Sequence, residues 1–141
     1  MTSKIRRGIS GIIFFDAKGR REYLLLKRKK NWKGWEFLKG GLKKGESESK
    51  ALKREIREEI GISNFKAKRT NIIHLFKYQK SYVKDNKEWQ GAKNRVFLIQ
   101  IHSKKIRIDH NEHSGFKWAN RKSALKMLTW NDFRKVFRKL A

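Results

Sequence analysis

Residues 40–62 read GGLKKGESESKALKREIREEIGI, and this stretch concentrates negative charge in an otherwise strongly basic chain. The 141 residues include 38 Lys and Arg but only 13 Asp and Glu. Five of those 13 acidic residues fall inside the stretch: Glu46, Glu48, Glu55, Glu58 and Glu59. Carboxylates gathered at short range repel one another unless a cation lies among them. The stretch therefore points to a cation-binding site.

The same residues predict a helix over 47–60, with Ser47 as its N-cap and Gly61 as its end. Positions 55, 58 and 59 are related as i, i+3 and i+4, so three carboxylates project from one face of that helix. A neighbouring apolar stripe suits burial against a core: Leu52, Ile56 and Ile60. Clustered carboxylate oxygens are the ligands that Mg²⁺ or Mn²⁺ prefers, so we expect one of these ions as cofactor.

The order of residues also resembles a family signature. Gly40, Glu46 and the run Arg54-Glu55-Ile56-Arg57-Glu58-Glu59-Ile60-Gly61-Ile62 match the Nudix box at every defining position. The resemblance implies an α/β fold, the Nudix α/β/α sandwich with a mixed sheet, over a single domain at 1–141. It also implies a hydrolase that breaks the pyrophosphate link of a nucleoside diphosphate joined to another group.

The resemblance assigns roles to individual residues. It implies that Glu55, Glu58 and Glu59 bind the metal or, for one of them, activate water, and that Arg54 orients a neighbouring carboxylate. Glu46 would assist this cluster or brace the loop. The implied metal set also includes the distal Glu112. The candidates to bind substrate are Lys39, Gly40, Gly41, Lys93 and Arg95.

Two flanking segments narrow the resemblance. Residues 35–41, WEFLKGG, are similar to the entry segment of RNA 5′-pyrophosphohydrolases and plant-type diadenosine tetraphosphate hydrolases, and residues 89–98 resemble a later strand of theirs. Residues 112–118, EHSGFKW, resemble a segment of animal-type diadenosine tetraphosphate hydrolases. The sequence departs from the family in having Leu38 in place of the usual Pro and Lys43 in place of a frequent Glu.

The leading hypothesis is thus a divalent-metal-dependent pyrophosphohydrolase of a dinucleoside polyphosphate such as diadenosine tetraphosphate. The alternatives are removal of pyrophosphate from triphosphorylated RNA 5′ ends, hydrolysis of small modified nucleotides, and a non-catalytic nucleic-acid-binding module. Four aromatic residues are candidates to stack a base, with burial in the core as the alternative: Tyr78, Tyr82, Trp89 and Phe116. None of the four histidines is assigned as a metal ligand.

Composition sets further bounds. The chain has no cysteine, so we expect neither disulfide-linked partners nor thiolate metal sites. No apolar run approaches the roughly 20 residues needed to span a bilayer, so a cytoplasmic protein without a membrane partner is expected. The net charge of +25 fits attraction to a polyanion, and codon bias toward Lys explains it equally well.

Apolar and β-branched runs predict the remaining elements. We expect strands at 8–16, 22–28, 69–79, 94–103 and 116–118, and helices at 120–128 and 130–139. Residues 17–19 are expected to form a turn, residues 27–41 a basic and aromatic loop, and residues 80–93 a hairpin or flexible loop.

Overall fold

The computed structural model describes residues 4–78 and 89–140, which form seven strands and three helices. In chain order these elements are β1 (Ile5–Ala17), β2 (Arg20–Arg28), β3 (Gly34–Glu36), β4 (Leu38–Gly41), α1 (Glu48–Ile60), β5 (Phe65–Lys77), β6 (Gly91–Ile101), β7 (His113–Ala119), α2 (Arg121–Met127) and α3 (Asn131–Lys139).

The long strand β1 is the centre of a mixed sheet. It runs parallel to β6 and antiparallel to β4 at its start and to β2 at its end. Strand β2 pairs with β3 and with β7, and β5 pairs with β6, all antiparallel. The first half of β1 is therefore flanked by β4 and β6, which brings the start of the 40–62 stretch next to the middle of the sheet.

Alternation along the strands places a separate core on each face of the sheet. On β2, for example, Leu24 and Leu26 belong to the core under α1, whereas Leu25 belongs to the core under α2 and α3. Helix α1 contributes Leu52, Ile56 and Ile60 to its core, as predicted. The α/β/α sandwich with a mixed sheet is confirmed.

The predictions that rest on short stretches of sequence, the helix ends and the turn, are confirmed. Helix α1 is capped by the Ser47 side chain, which accepts from the Lys50 amide at 3.2 Å, and it ends at Gly61 in the left-handed conformation with φ of 69°. The predicted turn is present, with positive φ at Lys18 and Gly19. The helices α2 and α3 lie inside the predicted ranges.

The expected loop at 27–41 is wrong in part, because β3 and β4 lie in it. These short strands form by pairing with β2 and β1, and the pairing buries Phe37 in one core and Leu38 in the other. Strand β5 begins at Phe65, earlier than expected, and β6 begins at Gly91 inside the predicted loop. Residues 80–88 of that loop, and residue 79 of the predicted strand before it, lie outside the described residues.

Among the described residues, none of the helices has the length and apolar character needed to cross a membrane.

Candidate active site

Three carboxylates converge beside the amino-terminal half of β1. Glu55 and Glu59 lie one turn apart on α1 and are 8% and 5% exposed. Glu112 directly precedes β7 and lines the same cavity as Glu55. Ligand atoms of Glu59, Glu112 and His113 all lie within 4.8 Å of one another. This spacing can accommodate a metal ion between the side chains.

The pKa of Glu55 is raised by its burial and by the neighbouring carboxylates. Burial, together with the nearby Glu59 and Glu112, raises that pKa to about 7 against the lowering effect of Arg54. Burial and Glu59 likewise raise the pKa of Glu112, against the attraction of Arg28. Buried carboxylates that raise one another's pKa lack positive charge, and a divalent cation supplies it. The residues present therefore fit a divalent metal ion.

Arg54 ties the loop before α1 to the helix. Its Nε and Nη2 atoms lie 2.8 Å from the two carboxylate oxygens of Glu46, and Nη2 also donates to the Gly41 carbonyl at 3.0 Å. Its Nη1 atom donates to Glu55 Oε1 at 2.7 Å. A paired guanidinium–carboxylate contact is rigid, so Arg54 fixes both the loop and the orientation of Glu55. Glu46 is therefore the carboxylate through which Arg54 braces the loop, in a paired contact.

The two glycines at the end of β4 provide room for side chains. A Cβ atom at Gly40 would overlap the Glu55 carboxyl, and one at Gly41 would overlap the Arg6 guanidinium. Close approach, which only glycine permits here, therefore seats a candidate metal ligand and a cation.

His113 links Glu59 to a second buried carboxylate. Its Nδ1 lies 3.2 Å from Glu59 Oε2, and its Nε2 lies 2.8 Å from Glu36 Oε2. Burial alone would lower the pKa of His113, but hydrogen bonds to Glu36 and Glu59 outweigh burial and raise it to about 9. Both ring nitrogens face carboxylate oxygens, so His113 holds Glu59 in a fixed orientation relative to Glu36.

Glu36 is the anchor of this network. Burial raises the pKa of Glu36, but Lys39, His113 and Arg28 outweigh burial and lower it to about 2. Lys39 Nζ lies 3.3 Å from Glu36 Oε1, and Arg28 Nη1 lies 3.4 Å from Glu36 and 3.3 Å from Glu112. The two cations are thereby held at the edge of the carboxylate cavity.

That cavity has a volume of about 180 Å³ and adjoins a cleft of about 90 Å³. The two share Arg28, Lys39, Phe76 and Tyr78. The cleft is further lined by two tryptophan rings, one carboxylate and two other polar side chains: Trp32, Trp130, Asp132, Asn31 and Lys77. Glu55 and Glu112 thus line a cavity that has positive charge at its edge and an aromatic cleft beside it.

The structure separates some predicted site residues from this cavity. Glu58 is 48% exposed, and its carboxylate lies 3.5 Å from Arg54 Nη1. Lys93 and Arg95 are not among the cavity-lining residues; Asn94, between them on β6, is. Arg95 Nε lies 3.6 Å from Glu48. The roles predicted for all three remain predictions.

The predicted aromatic residues also separate. Tyr78 lines both the cavity and the cleft, and Trp89 lies in a groove near the start of β1. Phe116 is exposed on β7, and Tyr82 lies outside the described residues.

Sequence reasoning missed the Arg28–Glu36–His113 network. One signal was available, since Glu36 is an acidic residue inside the basic run at 27–39. The scarcity of acidic residues that singled out the 40–62 stretch applies to Glu36 as well.

The chain is similar in sequence to curated proteins. The chain is similar to the RNA pyrophosphohydrolase of Proteus mirabilis, with 32% identity over 120 residues that cover 78% of this chain and 66% of that protein. It spans about two thirds or less of the length of the curated relatives it matches.

Solved structures share the fold. A Caenorhabditis elegans Ap4A hydrolase binary complex superimposes with a TM-score of 0.77 at 22% identity and covers 96% of this chain and 95% of that one. The Escherichia coli dihydroneopterin triphosphate pyrophosphohydrolase superimposes with a TM-score of 0.78 at 17% identity, covering 99% and 97%.

The model of the NUDIX domain matches residues 4–140, nearly the whole chain. Because this match spans almost every residue, the chain belongs to the NUDIX domain family.

Proposed function

We propose that this protein is a divalent-metal-dependent pyrophosphohydrolase that acts on a 5′-polyphosphorylated nucleotide. The observation that carries the proposal is that Glu55 and Glu112 line one cavity with Arg28 and Lys39, while ligand atoms of Glu59 and Glu112 lie within 4.8 Å of each other. Carboxylates of this kind bind metal, and the two cations suit phosphate oxygens.

In the reaction, a water oxygen forms a bond to phosphorus while the bridging anhydride oxygen departs with the leaving phosphate. Mg²⁺ held by Glu55, Glu59 and Glu112 would neutralise phosphate charge and lower the pKa of water. A carboxylate of the cluster takes the water proton, and Arg54 and His113 hold Glu55 and Glu59 in place for these roles.

The 5′ end of triphosphorylated RNA is the substrate that we favour. The curated relatives are named RNA pyrophosphohydrolase, and a chain with a net charge of +25 attracts a polyanion. A dinucleoside polyphosphate is the second candidate, because Glu112 of the diadenosine tetraphosphate hydrolase-like segment lines the cavity.

The test compares substrates and variants. Purified protein with MgCl₂ or MnCl₂ is given triphosphorylated RNA, diadenosine tetraphosphate and a panel of mononucleotides. Wild type and Glu22→Gln, a control for an exposed carboxylate paired with Lys104, should release pyrophosphate or a nucleotide product. Glu59→Gln should lose at least about 10²-fold in kcat, the scale expected when an electrostatic catalytic group is removed.

Two results would contradict the proposal. One is the absence of turnover of every substrate with either metal, and the other is undiminished activity in Glu59→Gln. The ratio of RNA to diadenosine tetraphosphate turnover decides between the two substrate classes.

A further inference from the structure

A second groove opens from the carboxylate cavity between the start of β1 and the loop before α1. Its volume is about 820 Å³, and it is lined by basic residues and one aromatic ring: Arg6, Arg7, Lys43, Lys44 and Trp89. Arg6 and Lys43 line both the groove and the cavity. The groove and the cavity therefore adjoin at these two side chains.

The positive charge of the groove is not neutralised by its own acidic residue. Glu46 is the single carboxylate among the lining residues described, and both its oxygens bond to Arg54. The Arg7 side chain is 73% exposed and approaches Glu48 only to 4.0 Å. Glu48 is also shared with Arg69 at 3.0 Å. The groove thus presents uncompensated cations to an anionic ligand.

Apolar surface lies beside these cations. Trp89 is held near β1 by its neighbour, since the Gln90 amide donates to the Lys4 carbonyl at 3.0 Å. Ile5 adds an exposed aliphatic side chain to the same groove. Phosphate-binding cations next to an aromatic platform are the combination that binds single-stranded nucleic acid, because bases stack while phosphates are neutralised.

We propose that this groove binds the single-stranded polynucleotide chain of a substrate whose 5′ polyphosphate occupies the carboxylate cavity. The inference rests on the proposed function and deepens it, since it selects a polynucleotide over a free nucleotide. A free nucleotide places its phosphates in the cavity, where Arg28 and Lys39 already lie, and has no repeated phosphates to meet Arg7 and Lys44.

The test uses the double variant Arg7→Ala/Lys44→Ala, because neither residue lines the carboxylate cavity. The matched control is Lys122→Ala/Lys126→Ala, two exposed lysines on α2. Substrates are a 5′-triphosphorylated octaribonucleotide and a 5′-triphosphorylated dinucleotide with the same first two bases.

The double variant should raise KM for the octanucleotide about tenfold or more, and raise it far less for the dinucleotide. The slope of log affinity against log salt for the octanucleotide should become shallower by about 1.4, roughly 0.7 for each lost phosphate contact. The control should match wild type. An unchanged KM for the octanucleotide, or an equal rise in KM for both substrates, would contradict the proposal that the groove binds the polynucleotide chain.

Binding of a 5′-hydroxyl octaribonucleotide, followed by fluorescence anisotropy, separates the groove from the reaction. Binding by wild type that is lost in the double variant supports the groove even if no substrate is hydrolysed, in which case the proposed function alone fails. Hydrolysis by wild type with equal oligonucleotide binding by both proteins overturns the groove alone. Competition by poly-glutamate as strong as by the oligonucleotide would assign the groove to an acidic protein partner and also overturn the proposal.

Discussion

His113 supplies positive charge between two buried carboxylates at the candidate site. His113 donates from both nitrogens, to Glu36 and to Glu59. Because burying two carboxylates and one cation is costly, each member depends on the others for compensation. Removing His113 leaves Glu36 and Glu59 buried without this partner.

We therefore predict that His113→Ala lowers the free energy of unfolding by about 3 kcal/mol near pH 6. The folded pKa of His113, about 9, lies above its usual 6.5, so its contribution is complete below pH 6.5 and is lost as the pH rises through 9. The folded pKa of Glu36, about 2, lies below its usual 4.5, so its contribution is complete above pH 4.5 and is lost as the pH falls through 2.

Urea denaturation at pH 6 and pH 9.5 checks this prediction. The difference between wild type and His113→Ala should shrink at the higher pH, whereas His102→Ala, at an exposed position just after β6, should show a small difference at both. A difference for His113→Ala that is the same at both values would contradict the assignment of His113 as a buried cation.

The network also explains why these residues were missed in the sequence. Strand β2 has β3 on one side and β7 on the other, with Leu26 opposite Glu36 and Arg28 opposite His113. Residues 36 and 113 meet only through these two pairings, which are distant in sequence. Glu55 and Glu59, by contrast, meet through one helical turn, so their spacing alone predicted their shared face.

At the scale of elements, the loop before α1 is bonded to the helix through Glu46 and Arg54. The helix was predictable because its caps and its apolar stripe are local. Strands β3 and β4 were not, because only pairing with β2 and β1 makes so short a run stable. The contact that joins loop and helix is the paired one between Arg54 and Glu46.

We predict that Glu46→Gln weakens Mg²⁺ binding and lowers kcat/KM by about 10- to 100-fold, the range for loss of a group that orients a metal ligand. The amide cannot make the charged, paired contact, so Arg54 no longer fixes Glu55 and the Gly41 carbonyl together. Isothermal titration with MgCl₂ and steady-state kinetics measure the two effects.

Asp16→Asn is the matched control for Glu46→Gln. It removes a paired contact of the same kind, since Arg21 on β2 donates to both Asp16 oxygens at 2.8 and 2.9 Å, but this contact lies at an exposed site near the end of β1. If Glu46→Gln changes Mg²⁺ affinity and rate no more than Asp16→Asn does, the brace does not act on the site.

At the scale of the whole molecule, two electrostatic effects oppose each other. A net charge of +25 makes the folded chain repel itself, and salt screens this repulsion. The carboxylate cluster has the opposite need, because the neighbouring Glu59 helps to raise the pKa of both Glu55 and Glu112. Monovalent salt relieves the first effect, and a bound divalent ion relieves the second.

We predict that NaCl raises Tm and that MgCl₂ at equal ionic strength raises it further. With Mg²⁺ at about 100 times its Kd, binding adds about 2.7 kcal/mol, which corresponds to roughly 5 to 10 °C for a chain of this size. Glu59→Gln should keep the response to NaCl and lose most of the Mg²⁺ increment, because it removes a carboxylate of the cluster but changes the net charge little. Calorimetry across both salts measures the two responses. An Mg²⁺ increment of equal size in wild type and Glu59→Gln would place the ion elsewhere on the protein.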